Sequence, residues 1–303
     1  MRSIKANSGK PSQPRVACHT NILAADSSFE TFPATLGVIA ENGYSHVVLP
    51  PMDIAVVDRS RLKRVLSQSG LGVITYIGGS AESSDVGSAQ DLVHEAGLER
   101  LRKYAEFTAE IGAMQMNGVP YGQFGHPVAR TSPESFNRAA RAAGAVADYA
   151  FTLGVTMSFE VLNRYETSMV NTSVQALEFV NQSESNNLKI HLDTFHMSIE
   201  EVDIAEAIRV AMPKLAYLEL GQSARGLLSK GSVDIPRIIS TAMSYGYTGL
   251  FGIEAFSRTI LNPRVSDALS VWNEPYLDGK ALIQDATSVI RKGVDLHNVR
   301  SSS

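Results

Sequence analysis

Residues 187–201, NLKIHLDTFHMSIEE, contain a short run in which apolar and polar residues alternate. Such alternation predicts a half-buried β-strand. The run ends in Asp193, and His196 follows three residues later. An acid and an imidazole just beyond a predicted strand form either a polar loop or a site for a metal ion and a substrate. The rest of the chain decides between the two.

Short apolar runs recur along the chain and alternate with longer amphipathic segments. The predicted strands are RVACHT from residue 15, HVVLP from 46, LGVITYI from 71, AMQMNGV from 113, VTMSFEVL from 155, LKIHLD from 188, KLAYLEL from 214 and GLFGIEAF from 249. A helix is predicted over residues 96–112, where apolar residues recur at spacings of three and four. Another is predicted to begin at Pro133, after Ser132, and to end before Gly154.

Eight strand–helix units of roughly 35 residues each are typical of a (β/α)8 barrel. The rival α/β architecture, a doubly wound open sheet, requires a glycine-rich phosphate loop after the first strand. Residues 19–29, HTNILAADSSF, contain no glycine. We therefore predict a single (β/α)8 TIM barrel. No linker-like stretch divides residues 15–300, which form one predicted catalytic domain after a flexible N-terminal extension, residues 1–14.

The composition excludes several classes of protein. A net charge of −4 does not favour nucleic acid or an anionic membrane as partner. The single cysteine, Cys18, excludes an intrachain disulfide and a cysteine-based zinc site. The chain has no apolar run of transmembrane length, and its first residues lack the apolar region of a signal peptide. We expect a cytoplasmic protein that acts on a small molecule.

One acid lies near the end of each of the last four predicted strands. These acids are Glu160, Asp193, Glu219 and Glu254, and successive members are 33, 26 and 35 residues apart, about one strand–helix unit each. In a (β/α)8 barrel they would converge at one mouth. Close, buried carboxylates repel one another unless they are protonated or bind a cation. Separate salt bridges to the surrounding helices are the alternative, and four acids in register favour a divalent metal site.

The acids lie in the motifs FEVLNRYET, HLDTFHMSIEE, LGQSAR and GIEAFSR or beside them. Through these motifs the chain resembles the sugar isomerase and epimerase family of xylose isomerase-like TIM barrels, which includes the D-tagatose and D-psicose 3-epimerases. The resemblance covers nearly all of the barrel from about residue 15. It implies a small carbohydrate substrate and a divalent metal ion, Mn²⁺ before Mg²⁺ or Co²⁺.

The resemblance also implies a reaction, which is proton transfer at the carbon beside a ketose carbonyl through a cis-enediolate. Glu160 and Glu254 would be the catalytic acid and base on opposite sides of the sugar. The metal ligands would be Glu160, Asp193, Glu219 and Glu254. Glu166, His196 and Arg225 would bind the substrate, with Arg225 stabilising the enediolate charge.

The chain departs from the family pattern at two places. Family members usually have a metal-binding histidine at the position of Glu219 and a glutamate at that of Gln222. Glu219 either binds the ion, which would then be a weaker Lewis acid, or leaves it to water. Family members also tend to have aromatic residues in the first strand, where this chain has His19. We count His19 among the substrate-binding residues, with a structural role as the alternative.

Other functions fit the sequence less closely. An isomerase or lyase acting on keto-cyclitols such as inosose, or on 3-keto-glycosides as in C-glycoside deglycosidase catalytic subunits, would use the same metal-assisted proton abstraction. A non-catalytic sugar-binding protein would need neither the acid–base pair nor the metal. A metal-dependent apurinic endonuclease would need a basic surface and more histidines at strand ends.

Two further expectations concern the substrate and the assembly. No glycine-rich loop that would cradle a phosphate is evident, so we expect an unphosphorylated sugar. We also expect a homo-oligomer, either a dimer or a tetramer. Trp272 and Tyr276 are candidates for the oligomer contact because aromatic residues anchor interfaces, and closing the base of the barrel is their alternative role.

Overall fold

The computed structural model describes residues 14–25 and 29–301. Eight parallel strands form a closed barrel in which each strand pairs with its neighbours in the chain and the first pairs with the last. The strands are β1 (Val16–His19), β2 (His46–Val48), β3 (Gly72–Ile77), β4 (Gln115–Gly118), β5 (Thr156–Val161), β6 (Leu188–Asp193), β7 (Leu215–Gly221) and β8 (Leu250–Glu254). At the closure, Cys18 of β1 pairs with Ile253 of β8.

The connections between strands carry the surrounding helices. These are α1 (Phe32–Glu41), α2 (Arg59–Ser69), α3 (Asp91–Glu110), α4 (Pro133–Thr152), α5 (Ser173–Gln182), α6 (Thr194–Glu200), α7 (Ile204–Ala211), α8 (Ile235–Ser244), α9 (Pro263–Ala268) and α10 (Gly279–Ser301). Two helices, α6 and α7, follow β6, and two, α9 and α10, follow β8. Within the described ranges, no helix is long and apolar enough to cross a lipid bilayer.

The prediction of a single (β/α)8 barrel is confirmed, and all eight predicted strands are present. The Ser132 hydroxyl accepts a hydrogen bond from Ser135 N–H at the start of α4, and Gly154 after its end has a φ of 77°. Helix α3 begins at Asp91, five residues before the predicted start at residue 96. The prediction missed the first turn because its residues are largely exposed and lack apolar periodicity. Residues 1–13 of the predicted extension lie outside the described residues, and the domain division at residue 15 stays a prediction.

Alternation along the strands creates two layers inside the barrel. An apolar layer comprises Ala17, Val48, Ile74, Tyr217 and Leu250. Side chains two residues apart on a strand face the same side, so the next inward positions on β1, β3 and β7 belong to His19, Tyr76 and Glu219. A polar layer therefore lies directly above an apolar floor, towards the C-terminal ends of the strands.

Gly144 marks a close approach of α4 to the end of α5, where a Cβ would collide with the carbonyl oxygen of Ser183. We expect Gly144→Ala to lower the free energy of unfolding by about 1–3 kcal/mol in urea denaturation, as overpacking typically does. Gly37→Ala in α1 is the matched control, because a Cβ there meets nothing within 4 Å. It should be neutral or stabilising by up to about 1 kcal/mol. Equal stability of the two variants would contradict the packing described here.

Candidate active site

The four predicted acids lie together at the C-terminal mouth of the barrel. Glu160 is in β5, Asp193 ends β6, Glu219 is in β7 and Glu254 ends β8. All four are buried, and the most exposed of them, Glu254, retains only 7% of its accessible surface. Single basic side chains contact two of these acids at once, so the acids converge as their spacing in the sequence predicts.

Two imidazoles link pairs of these acids. His19 Nε2 lies 2.8 Å from Glu219 Oε1, and its Nδ1 lies 3.6 Å from Glu254 Oε1. His191 Nε2 lies 3.1 Å from Glu219 Oε2, and its Nδ1 lies 4.0 Å from Glu160 Oε2. Burial alone would lower the pKa of His19, but Glu219, Glu254 and Glu160 raise it to about 9. Burial is likewise outweighed at His191, whose pKa is raised by Glu160 and Glu219.

The third imidazole, His196, has a defined tautomer. Its Nδ1 accepts hydrogen bonds from the backbone N–H of Asn163 at 3.2 Å and from Asn163 Nδ2 at 2.8 Å. The proton of the neutral ring therefore sits on Nε2, which lies 3.3 Å from Glu160 Oε1 and 3.6 Å from Asp193 Oδ2. Arg225 Nη2 approaches Nε2 to 3.3 Å but cannot donate to it in this tautomer. His196 is thus a hydrogen-bond donor towards the site.

Arg225 places a permanent positive charge among the acids. Its Nη1 donates to Asp193 Oδ2 at 2.9 Å and to Glu254 Oε2. The guanidinium group stacks on Phe195, with 3.7 Å between its central carbon and the ring centroid. Burial alone would lower the pKa of Arg225, but Glu254 and Asp193 raise it. The side chain is therefore fixed in position and charged.

Gln222 holds the loop that carries Arg225. Its Nε2 donates to the carbonyl oxygens of Leu228 at 3.1 Å and Val233 at 3.0 Å. Its Oε1 accepts from the N–H groups of Ser223 at 2.8 Å and Val233 at 2.9 Å. The Arg225 N–H in turn donates to the Gln222 carbonyl oxygen at 2.7 Å. The departure from the family pattern at Gln222 thus has a structural role, which is to order the turn after β7.

Glu160 and Glu254 differ in their affinity for a proton. Burial would raise the pKa of Glu160, but the imidazoles of His191 and His196 lower it to about 2. Burial raises the pKa of Glu254 to about 8, with Glu219 adding to the rise and Arg225 opposing it. Two carboxylates held in opposite protonation states at neutral pH are suited to act as a general base and a general acid.

Sequence reasoning missed Tyr76 and Asn163 as members of the site. The hydroxyl of Tyr76, on β3, donates a hydrogen bond to Glu160 Oε2. Asn163 positions two side chains, because its Nδ2 also donates to Glu166 Oε1 at 2.9 Å. Strand alternation from Ile74 could have placed Tyr76 inside the barrel, but the spacing does not show that it contacts Glu160 across β4.

A cavity of about 780 Å³ opens from the acids to the protein surface. Its inner end is lined by His19, Tyr76, Glu160, Glu166, His196, Arg225 and Glu254. Its outer part is lined by apolar residues that include Met52, Val56, Val57, Val265 and Leu269. The predicted substrate-binding residues are therefore brought together, whereas Asp193 and Glu219 are covered, the former by Arg225 and the latter by His19.

The donor atoms of the site fit a divalent cation. Three groups of residues can each offer one donor atom per residue, and within a group these atoms lie within 4.8 Å of one another. The groups are His19, Glu219 and Glu254; Glu160, His191 and Glu219; and Glu160, Asp193 and His196. Among the described residues, Glu219 Oε2 and both nitrogen atoms of His191 are buried without a hydrogen bond of good geometry. Carboxylate oxygens combined with imidazole nitrogen suit Mg²⁺, Mn²⁺ and similar ions.

Carboxylates that can hold a cation at the C-terminal mouth of a (β/α)8 barrel, at the inner end of an open cavity, are typical of metal-dependent enzymes with this fold. Residues 36–286 match the model of the xylose isomerase-like TIM barrel family. The chain belongs to this family, as the sequence motifs predicted.

Relatives that match over the whole barrel include ketose 3-epimerases. The chain is 33% identical to a ketose 3-epimerase of Arthrobacter globiformis over 93% of its own length and 100% of that protein. It is 31% identical to an L-ribulose 3-epimerase of Mesorhizobium japonicum, over 93% and 94% of the two chains. A D-allulose 3-epimerase from Methylomonas sp., solved in complex with D-allulose, superposes with a TM-score of 0.87 at 30% identity, covering 93% and 98%.

The role of Gln222 leads to a prediction about the residue that the family usually has there. Gln222→Glu removes the two N–H donors to the buried carbonyl oxygens of Leu228 and Val233. We expect urea denaturation to show a loss of roughly 2 kcal/mol or more in the free energy of unfolding. The exposed control Gln68→Glu should change it by less than about 0.5 kcal/mol. If Gln222→Glu were as stable as this control, the loop would not depend on the amide.

Proposed function

We propose that this enzyme epimerises an unphosphorylated ketose at carbon 3, by proton transfer through a cis-enediolate. The observation that carries the proposal is the pair of buried carboxylates, Glu160 and Glu254, which face one cavity from β5 and β8. The relatives named above support the choice of a ketose. The choice of an unphosphorylated sugar rests on the sequence, in which no glycine-rich phosphate loop is evident.

A divalent ion, Mn²⁺ in preference to Mg²⁺ or Co²⁺, is the proposed cofactor. Glu160, Asp193 and Glu254 would hold it, and Glu219 is the fourth ligand expected from the sequence. When bound, such an ion polarises a carbonyl group and makes the neighbouring C–H more acidic. The chain supplies everything else, namely the proton acceptor, the proton donor and the groups that orient the sugar.

The side chains then divide the reaction between them. Ionised Glu160 takes the proton from carbon 3, and protonated Glu254 returns one on the opposite face, with the roles exchanged in the reverse reaction. His196 donates its Nε2–H to a substrate oxygen, and Arg225 stabilises the negative charge of the enediolate. Glu166 accepts hydrogen bonds from sugar hydroxyls. Tyr76 holds Glu160 in place through its hydroxyl.

Removal of either carboxylate tests the acid–base pair. We expect Glu160→Gln and Glu254→Gln to lose at least about 10²-fold in activity, the usual contribution of a general acid or base. Activity is measured as interconversion of free ketoses and as uptake of solvent deuterium at carbon 3, both by NMR. Glu99→Gln, at an exposed residue of α3, is the control and should keep full activity. Epimerisation by Glu254→Gln at the wild-type rate would contradict the mechanism.

Metal binding is tested by stripping the protein with a chelator and adding Mn²⁺ back. At free Mn²⁺ 100-fold above its Kd, binding adds about 2.7 kcal/mol of stability, which should raise the Tm by roughly 5 °C in a chain of this size. Asp193→Asn should lose most of this rise, whereas Asp295→Asn, an exposed change in α10, should keep it. An unchanged Tm and unchanged activity after stripping would contradict the proposed cofactor.

The size of the cavity favours a second candidate substrate. Its apolar outer part extends well beyond the polar inner end, which is the part that suits a free ketose. A keto-cyclitol or a 3-keto-glycoside with an apolar group would fill more of it, and the same carboxylates would abstract the proton. The same deuterium assay, run with such compounds on the enzyme purified alone and with any co-purifying subunit, separates these substrates from free ketoses.

The expected cytoplasmic location and the homo-oligomer, a dimer or a tetramer, remain proposals. Of the two aromatic residues suggested for the oligomer contact, Tyr276 is buried and its hydroxyl donates to the carbonyl oxygen of Ala255. It packs within its own chain. Trp272 is 63% exposed and stays the candidate for a contact between subunits.

A further inference from the structure

His19 lies between Glu219 and the cavity. The side chain of His19 lines the inner end of the cavity, whereas Glu219 is fully buried and does not. The two are joined by the 2.8 Å approach of His19 Nε2 to Glu219 Oε1. A ligand entering the cavity therefore meets the imidazole of β1 before the carboxylate of β7.

Glu219 is confined in this position by its other neighbours. The Tyr217 hydroxyl donates to Oε1 at 3.2 Å, and His191 Nε2 lies 3.1 Å from Oε2. On the adjacent strand β8, a Cβ at Gly252 would come within 2.8 Å of Oε1, so the carboxylate occupies space that the glycine leaves free. Both oxygens of Glu219 thus face protein groups, and together these contacts anchor the carboxylate below His19.

The other two imidazoles of the site, those of His196 and His191, do not present a free nitrogen to the cavity. Nδ1 of His196 accepts two hydrogen bonds from Asn163, which leaves its Nε2 as a donor. His191 is completely buried and does not reach the cavity. The ring nitrogen that faces the acids from the cavity wall is therefore Nδ1 of His19, which would bind an ion in place of its proton.

The position of this nitrogen suits a metal ligand. His19 Nδ1 lies 3.6 Å from Glu254 Oε1. Two ligand atoms with bonds of about 2.1 Å to one ion lie roughly 3–3.6 Å apart at ordinary coordination angles. Metal-binding histidines generally donate their other ring N–H to a carboxylate, which fixes the tautomer and the ring orientation. Glu219 is placed to be that carboxylate at 2.8 Å, once the imidazole ring turns so that Nε2–H points at Oε1.

We propose that His19 binds the divalent ion through Nδ1 and that Glu219 accepts the Nε2–H instead of binding the ion itself. The inference rests on the proposed function, because it requires that the site binds a divalent ion. It differs from both alternatives stated for Glu219, because His19, and neither Glu219 nor water, would be the fourth ligand. The ion then has three carboxylate ligands and one neutral nitrogen, so it is less neutralised and is a stronger Lewis acid than in a site of four carboxylates.

The test is pulsed EPR of stripped protein reloaded with Mn²⁺ alone, because electron spin echo modulation detects a ¹⁴N nucleus bonded directly to the ion. We expect ¹⁴N modulation in the wild-type protein and its replacement by a ¹⁵N signal after labelling of histidine. His19→Gln should lose the modulation, whereas His191→Gln and His196→Gln should retain it. Glu219→Gln should retain it too while weakening Mn²⁺ affinity about 10–100-fold by calorimetry, and His19→Gln should weaken affinity at least as much.

The outcomes separate this inference from the proposed function. Mn²⁺ bound stoichiometrically without ¹⁴N modulation in the wild-type protein overturns the role of His19 and leaves the proposed epimerase intact. Modulation that persists in His19→Gln overturns it equally. Failure of the wild-type protein to bind Mn²⁺ overturns both proposals. The wild-type measurement decides the matter even if His19→Gln does not fold, which circular dichroism will establish.

Discussion

The burial of four carboxylates inside the barrel is the constraint that organises this site. Like charges at short range in a poorly polarisable interior repel one another strongly, so they must be compensated where they stand. The chain supplies His19, His191 and Arg225, each of which lies close to two acids. Because the pKa of Glu254 is raised to about 8, this carboxyl group is mostly protonated at neutral pH, which lowers the total negative charge of the site. Each of these three basic groups therefore bridges two of the acids at the mouth of the barrel.

The barrel makes this arrangement possible through its layers. The inward apolar residues near the N-terminal ends of the strands fill the lower part of the interior, so the polar layer rests on a packed floor. Parallel strands bring their C-terminal ends to one rim, and each strand contributes only one or two polar groups there. The free-energy cost of burying charged groups is therefore distributed over several strands.

The architecture and the four acids could be predicted from the sequence because both follow from local periodicity and regular spacing. Alternation defines each strand, and one acid per strand–helix unit places Glu160, Asp193, Glu219 and Glu254 at one rim. The partnerships between side chains could not be predicted in this way. His19 meets Glu219 because closure of the barrel makes β8 the neighbour of both β1 and β7. Tyr76 meets Glu160 across β4, through side-chain positions that spacing in the sequence does not define. The structural role of Gln222 likewise depends on a loop conformation that spacing does not reveal.

The closure between β1 and β8 also has a consequence for the order in which the molecule is assembled. His19 stands on the first strand and its partner Glu219 on the seventh, so their contact joins positions roughly 200 residues apart in the chain. Bringing such distant segments together costs loop entropy, and the gain comes only when the ring of strands is complete. A partly synthesised chain therefore carries its acids without this imidazole partner in place. The site comes into existence only with the last strand.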